Sequence, residues 1–264
     1  MSVYTFASRY EPMSGPSNGR VIVQGRATST LTSLTDIGAA NLLLDQAGVL
    51  ATPIKLDVSS SSTADAAAGT GAQAITIIGL GASKNYQTEV LVPTGTTIKA
   101  SAKTWSRVFA AYVSKAGTGL TNTGDIYMVA TGLGGTYSTP GVPGTFDITS
   151  AIGKMLASSS NMGTAFYTTP SRLGYFWQVD RVKISTKALT TGGLVVLQVR
   201  DTSVATNPYV NEKVIGLGTG GQTVDIDLSE AQLIYGPNTD IRLLCSTGTA
   251  AGYVTAEMHI KKIG

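Results

Sequence analysis

One histidine, one cysteine and two tryptophans are all that 264 residues supply of those side chains. With Cys245 alone, an intrachain disulfide and a cysteine-built zinc site are excluded. His259 has no second imidazole to join it, so a histidine cluster is excluded too. Charge is scarce: Asp, Glu, Lys and Arg make up 13% of the chain, about half the ~25% usual in globular proteins. The net charge is +3, and Lys261-Lys262 is the single adjacent basic pair, read as a solvated terminus. A clustered cationic face, and with it a specific nucleic-acid partner, is not expected. No apolar run approaches the ~20 residues that cross a bilayer, so no membrane partner is expected. Met1–Gly15 lacks a basic stretch followed by an apolar one, so Sec export is not expected and folding in a reducing cytoplasm is.

What is present is Thr, Ser, Gly and short apolar runs that alternate. Such a surface is wet but weakly charged. It suits repeated subunit contacts, because burying a hydroxyl costs far less than burying an unpaired ion. Residues 8–19, with Pro12 and Pro16, read as an extended arm. Arg20–Gly25 alternates weakly as a strand would. Leu34, Ile37 and Leu42–Leu44 fit a short helix within Ser33–Gly48, stopped by Gly48.

From Pro53 onward the pattern is that of strands: Ala74–Leu80, Glu89–Val92, Arg107–Val113 and Asp125–Ala130, with a small-residue loop over 59–72. Gly132–Gly144, with five glycines and two prolines, is the clearest linker. Beyond it, Ile148, Ala151, Ile152, Met155 and Leu156 predict a short helix over Asp147–Ala157. Strands return at Phe176–Ser185, Leu194–Val199, Thr223–Ser229, Asp240–Ser246 and Tyr253–Ile260. In the last of these Val254, Ala256, Met258 and Ile260 alternate with Thr255, Glu257 and His259. The expected fold is therefore mainly β: an antiparallel β-sandwich, jelly-roll-like, as one or two sandwiches. An extended N-terminal arm and one or two short helices complete it. The expected division is an arm and short helix over 1–50, a first β unit over 51–145 and a second over 146–264.

Residues with reactive chemistry mostly read as architecture. Gly216–Gly221 has the GxGxxG spacing, but a strand follows where a dinucleotide site needs a helix, so it reads as a hairpin turn. His259 faces solvent, and Cys245 faces inward as a small core residue. Asp225 and Asp227 share one strand face, ~7 Å apart. Two carboxylates so placed could suit a cation or a glycosidase-like pair, but they read as the routine polar face of an amphipathic strand. Asp125 and Asp240 precede β-runs and read as turn residues. Ser229-Glu230-Ala231-Gln232 resembles a capping box. Tyr175-Phe176-Trp177, with Phe166 and Tyr167 nearby, is the densest aromatic region. Such rings pack a core or an interface, or stack on sugars. No catalytic, cofactor or metal residue is assigned.

Two segments carry a family likeness. Thr63–Ala82, Thr88–Thr97, Trp105–Val108 and Gly124–Ile126 form the first. Thr164–Pro170, Val182–Ser185, Leu194–Arg200, Asp240–Ser246 and Tyr253–Ile260 form the second. Together they resemble virion structural proteins of tailed bacteriophages, especially short-tailed marine ones. That pattern has an Ala/Gly-Thr-Gly-Ala turn, a β-run ending in Gly-Leu, a Glu-containing strand and Gly-Thr-Thr. Gly81 stands here where an aspartate-type residue often follows Gly-Leu, and Pro93 precedes the Thr-Gly-Thr-Thr turn. The resemblance implies a non-enzymatic component of the virion, a capsid, decoration or tail subunit. Its partners would be copies of itself in a symmetric homo-oligomer and other virion proteins. The alternative is a receptor- or glycan-binding tail module using Tyr167, Tyr175 or Trp177 as stacking platforms.

Overall fold

The computed structural model describes residues 20–28, 31–36, 53–131, 151–159, 161–162, 166–170, 175–187, 189–203, 207–247 and 253–263. Among them the regular elements are β-strands and one 3-10 turn, Ser229–Ala231. In chain order the strands are β1 (Arg20–Thr28), β2 (Leu31–Asp36), β3 (Ile54–Ser60), β4 (Ala72–Gly81), β5 (Tyr86–Leu91) and β6 (Lys99–Ala116). There follow β7 (Ile126–Ala130), β8 (Ala151–Met155), β9 (Asn161–Met162), β10 (Phe166–Thr168), β11 (Phe176–Lys187) and β12 (Gly193–Asp201). The last are β13 (Val210–Leu217), β14 (Thr223–Asp227), β15 (Ile234–Tyr235), β16 (Thr239–Thr247) and β17 (Tyr253–Ile263). All pairings between them are antiparallel.

The expected mainly-β, antiparallel class holds. Two compact units divide the chain, residues 1–38 with 163–264 and residues 39–162. The first unit is a sandwich of two five-stranded sheets. One has the order β1-β17-β11-β14, with β15 sharing the outer side of β11. The other has the order β10-β16-β12-β13, with β2 also on β16. Their inward faces follow from period-two hydrophobicity. Val182, Ile184, Val254, Met258 and Ile260 on one sheet, and Val195, Leu197, Ile241, Leu243 and Cys245 on the other, are all fully buried. Each large aliphatic so placed contributes roughly 1.5–3 kcal/mol.

The second unit is one curled seven-stranded sheet, not a second sandwich: β5-β4-β6-β3-β7-β8, with β9 returning to β6. Strand β6 is 18 residues long. It pairs with β4 through Trp105–Ala116 and with β3 through Lys99–Trp105, so Trp105 belongs to both ladders. Four register shifts in the β4–β6 ladder supply the extra twist. Leu56, Val58, Ile75, Ile77, Trp105, Met128 and Met155 close the core inside the curl.

Several expectations are corrected. The strand expected over Arg20–Gly25 is present as β1, beside β17, and with β2 on β16 it places residues 20–36 in sheets rather than in the arm and short helix expected over 1–50. The helix expected over Ser33–Gly48 is replaced by β2 as far as Asp36, and its remainder lies outside the described residues. The helix expected over Asp147–Ala157 is replaced by β8, whose pairing with β7 outweighs a helical spacing carried by five residues. Residues 8–19 and the Gly132–Gly144 linker lie outside the described residues. Gly216–Gly221 is no hairpin turn, because β13 pairs with β12 in one sheet and β14 with β11 in the other. Gly220, at φ +84°, bridges to Leu189 as the chain crosses between sheets.

Candidate functional site

The outward face of the sheet containing β11 carries the carboxylates singled out in the sequence. Asp225 and Asp227 on β14 stand opposite Lys183 and Arg181 on β11, which stand opposite Glu257 and His259 on β17. Along the row Asp225–Lys183–Glu257 sign alternates from strand to strand, the cross-strand arrangement that stabilises a sheet face. The Arg181 guanidinium forks onto Asp225, donating from Nε at 2.7 Å and from Nη2. That hydrogen bond holds the Asp225 carboxyl below its ordinary range. Asp227 is lowered by the Ser229 hydroxyl and by the Ser229 N–H, which donates to it at 2.8 Å. A glycosidase-like acid needs one raised carboxyl, and both of these are pushed the other way. The capping box expected at Ser229 is not formed: the N-cap of the 3-10 turn is Leu228, with no side-chain cap hydrogen bond, and the Ser229 N–H donates to Asp227 instead. His259 is less open than expected, its side chain 12% exposed, with Nε2 on the Glu257 carboxylate. Cys245 lies in the core, as its spacing predicts.

A second polar cluster joins β10, β12 and β16. Asp240 is no turn residue: it lies fully buried within β16. It accepts from Thr168 Oγ1 at 2.6 Å and from Arg200 Nη2 at 2.8 Å. The Arg200 and Arg242 guanidiniums lie 4.3 and 3.5 Å from the centre of the Tyr209 ring, and Arg242 Nε donates to Gln198 at 3.1 Å. These groups fasten adjacent strands through charge-assisted bonds and cation–π contact.

The third cluster, in the curled unit, was not visible in the sequence. Asp65 sits fully buried in the small-residue loop that follows β3. Its Oδ1 accepts from the N–H groups of Ala72 (2.7 Å) and Thr123 (2.8 Å). Its Oδ2 accepts from the Gly124 N–H (2.9 Å) and from Ser60 Oγ. Asn122, equally buried, donates to the carbonyls of Gly124 and Leu156. Asp125 accepts from Lys154 Nζ at 2.7 Å and from the Ala157 N–H at 2.8 Å. Burial works to raise its pKa, but the Lys154 bond, the Ala157 N–H and the Lys154 charge together lower it. The one available signal was Asp65 as the sole acid among Ser, Thr, Ala and Gly.

The aromatic region separates by strand parity. Trp177 points inward and is 3% exposed, so it cannot serve as a stacking platform. Tyr175 is half-buried beneath the Lys262 ammonium, 3.3 Å from its ring centre. Phe166 and Tyr167 fall on β10, and their side chains lie outside the described set. Phe176 points outward and is 50% exposed. Other large apolar side chains on the surface are Val90 and Val92 at β5, and Leu194, Val210 and Val214 on β12 and β13. Among the described residues no three His, Cys, Asp or Glu side chains converge as a metal ion would require.

No protein-family model matches the chain, and no curated protein matches it. Among solved structures, 40% of the chain aligns with 20% of the CBM22-1–GH10 modules of Clostridium thermocellum endo-1,4-beta-D-xylanase 10B, complexed with xylohexaose, at 12% identity and a TM-score of 0.25. Another alignment covers 93% of the chain and 20% of tripeptidyl peptidase 2, at 7% identity and a TM-score of 0.18. The chain thus spans about a fifth of the length of either protein.

Proposed function

We propose that this chain is a structural subunit of a bacteriophage particle whose work is done by its surfaces, through association with copies of itself. The observation that carries the reading is how the polar side chains are used. Asp65, Asp125, Asp225, Asp227 and Asp240 each hold a loop or strand in place, while aliphatic side chains lie open on outer faces and edges. Scattered exposed apolar groups among hydroxyls suit weak contacts repeated many times by symmetry. Placement in the virion rests on the likeness of the two segments to tailed-phage structural proteins.

Light scattering coupled to size exclusion, across a hundredfold range of concentration, tests the self-association. A defined oligomer is expected, with rings, trimers or tubes in negative stain. A monomer at every concentration would refute it. Peptides of this chain in purified particles would support the virion placement. The glycan-binding alternative loses Trp177, which lies in the core, and would rest on Tyr167 or Tyr175. A glycan array showing a specific ligand that Tyr175→Ala abolishes would favour it instead.

A further inference from the structure

β13 ends its sheet. The order is β10-β16-β12-β13, and among the described residues no strand pairs with the far side of β13. Its first five residues, Val210–Val214, are all exposed. An open edge carries a row of unpaired N–H and C=O groups, a template on which another strand can pair. Here it runs for 8 residues, roughly 25 Å. Apolar side chains add to the tendency. Val210 and Val214 are 56% and 53% exposed, and Leu194 on β12, opposite Gly216, is 43% exposed.

Two features of the same strand work against such pairing. From Leu217 back to Lys213, β13 keeps step with β12, and Lys213 falls opposite Leu197. Asn211 then falls opposite Gln198, and Glu212 is left over. An extra residue of this kind is a β-bulge, which bends the strand, sharpens its twist and interrupts the ladder. An incoming strand can follow Val214–Leu217 or Val210–Asn211, but not both in one register.

The second feature is charge on the core side. Cross-strand partners share a face, and Leu197 is fully buried on the inner one. Lys213 therefore continues the inner row of Leu217 and Ile215, which are 5% and 6% exposed. That apolar row ends in an exposed ammonium. Glu212 lies near the same face: burial pushes the hydroxyl of inward-pointing Tyr235 up, and the Glu212 charge adds to it. A strand laid beyond β13 would take these two charges out of water, which is costly.

We infer that Glu212 and Lys213 guard the open edge of β13, so that it does not join another strand, a second copy's β13 included. Copies of this chain then meet through sheet faces and not by extending this sheet. That last step rests on the self-association reading; the guard itself does not.

Deleting Glu212 together with Lys213→Val restores an even register and removes both charges. A second variant, Glu212→Val with Lys213→Val, keeps the chain length and decides the matter if the deletion does not fold. Circular dichroism melts check folding. Light scattering and amide exchange of residues 207–218 are then read across the same range of concentration. In the wild type the alternate β13 amides that face away from β12 should exchange fast at every concentration. A folded variant should gain a species of at least double mass, with those amides exchanging at least about tenfold more slowly. Folded variants with the wild-type mass and exchange overturn the guard. Protection of the same amides when the wild type associates also overturns it, while leaving self-association standing. A wild type monomeric throughout, beside a variant joined through β13, supports the guard and refutes self-association.

Discussion

Asp65 illustrates how single residues hold this protein. Four donors from the end of β3, the start of β4 and the loop before β7 meet on one carboxylate that has no access to water. Asp65→Ala would strand the buried N–H groups of Ala72 and Gly124, and each buried donor left unmet costs about 1–3 kcal/mol. The expected loss is at least ~2 kcal/mol, against a domain stability of only ~5–15 kcal/mol. Urea unfolding followed by Trp105 fluorescence would measure it. A Trp177→Phe background makes Trp105 the sole tryptophan and a reporter of the curled unit alone. The same probe tests Asp125. Its pKa is depressed in the folded state, so its contribution is present above the unfolded value near ~4 and disappears as pH falls through the folded one. The curled unit should lose stability below about pH 4. Lys154→Met should flatten that acid limb, because it removes the cation that keeps the carboxylate charged. An unchanged slope would mean the pair contributes nothing.

At the scale of elements, close approach of backbones decides more than side-chain preference. Gly79 lies at a register shift between β4 and β6, where an added Cβ would sit 2.0 Å from the Arg107 carbonyl oxygen. Backbone there cannot swing aside, so Gly79→Ala should cost about 3 kcal/mol, the upper end for overpacking. Gly216→Ala on β13, with nothing within 4 Å, should change stability by less than ~0.5 kcal/mol. Thermal melts of the two variants make the comparison. These elements also show what a sequence can reveal. β17 was legible because it buries one face and alternates cleanly, β14 because Val224 and Ile226 alternate with Asp225 and Asp227, and β16 through Ile241, Leu243 and Cys245 in step. β8 was mistaken for a helix because five residues cannot separate a period of 3.6 from a period of 2. β13 escaped notice because its exposed stretch Val210–Val214 has no apolar period at all. The polar clusters were hidden for another reason. Asp65 and Asp240 differ from turn aspartates only in what distant segments bring to them. The carboxylate pair on β14 was legible as a shared face, but its Arg181 partner came from a strand more than forty residues away.

For the whole molecule, strand register shows how the two units share one chain. β2 runs along the edge of β16 to Asp36, opposite Leu244, and β10 resumes on β16 at Phe166, opposite Arg242. Both run antiparallel to β16 on the side away from β12. They are two halves of one edge strand, a single register position apart. In the chain, the residues of the curled unit fall between those two halves. Every ladder of the sandwich is closed by residues 20–36 and 166–263, and every ladder of the curled unit by residues 54–162. Removing residues 37–165 and joining Asp36 to Phe166 through one or two residues should therefore leave a folded sandwich with a continuous edge strand, since the gap is only about 7 Å. Residues 51–162, expressed alone, should fold as well. In the intact chain Trp177 and Trp105 should then report two unfolding transitions at separate urea midpoints. A single transition seen by both tryptophans, with neither piece folding alone, would mean that the units depend on each other for stability. Two transitions would locate each substitution above in the unit that carries it: Asp65→Ala and Gly79→Ala would shift only the midpoint seen by Trp105, and Gly216→Ala neither.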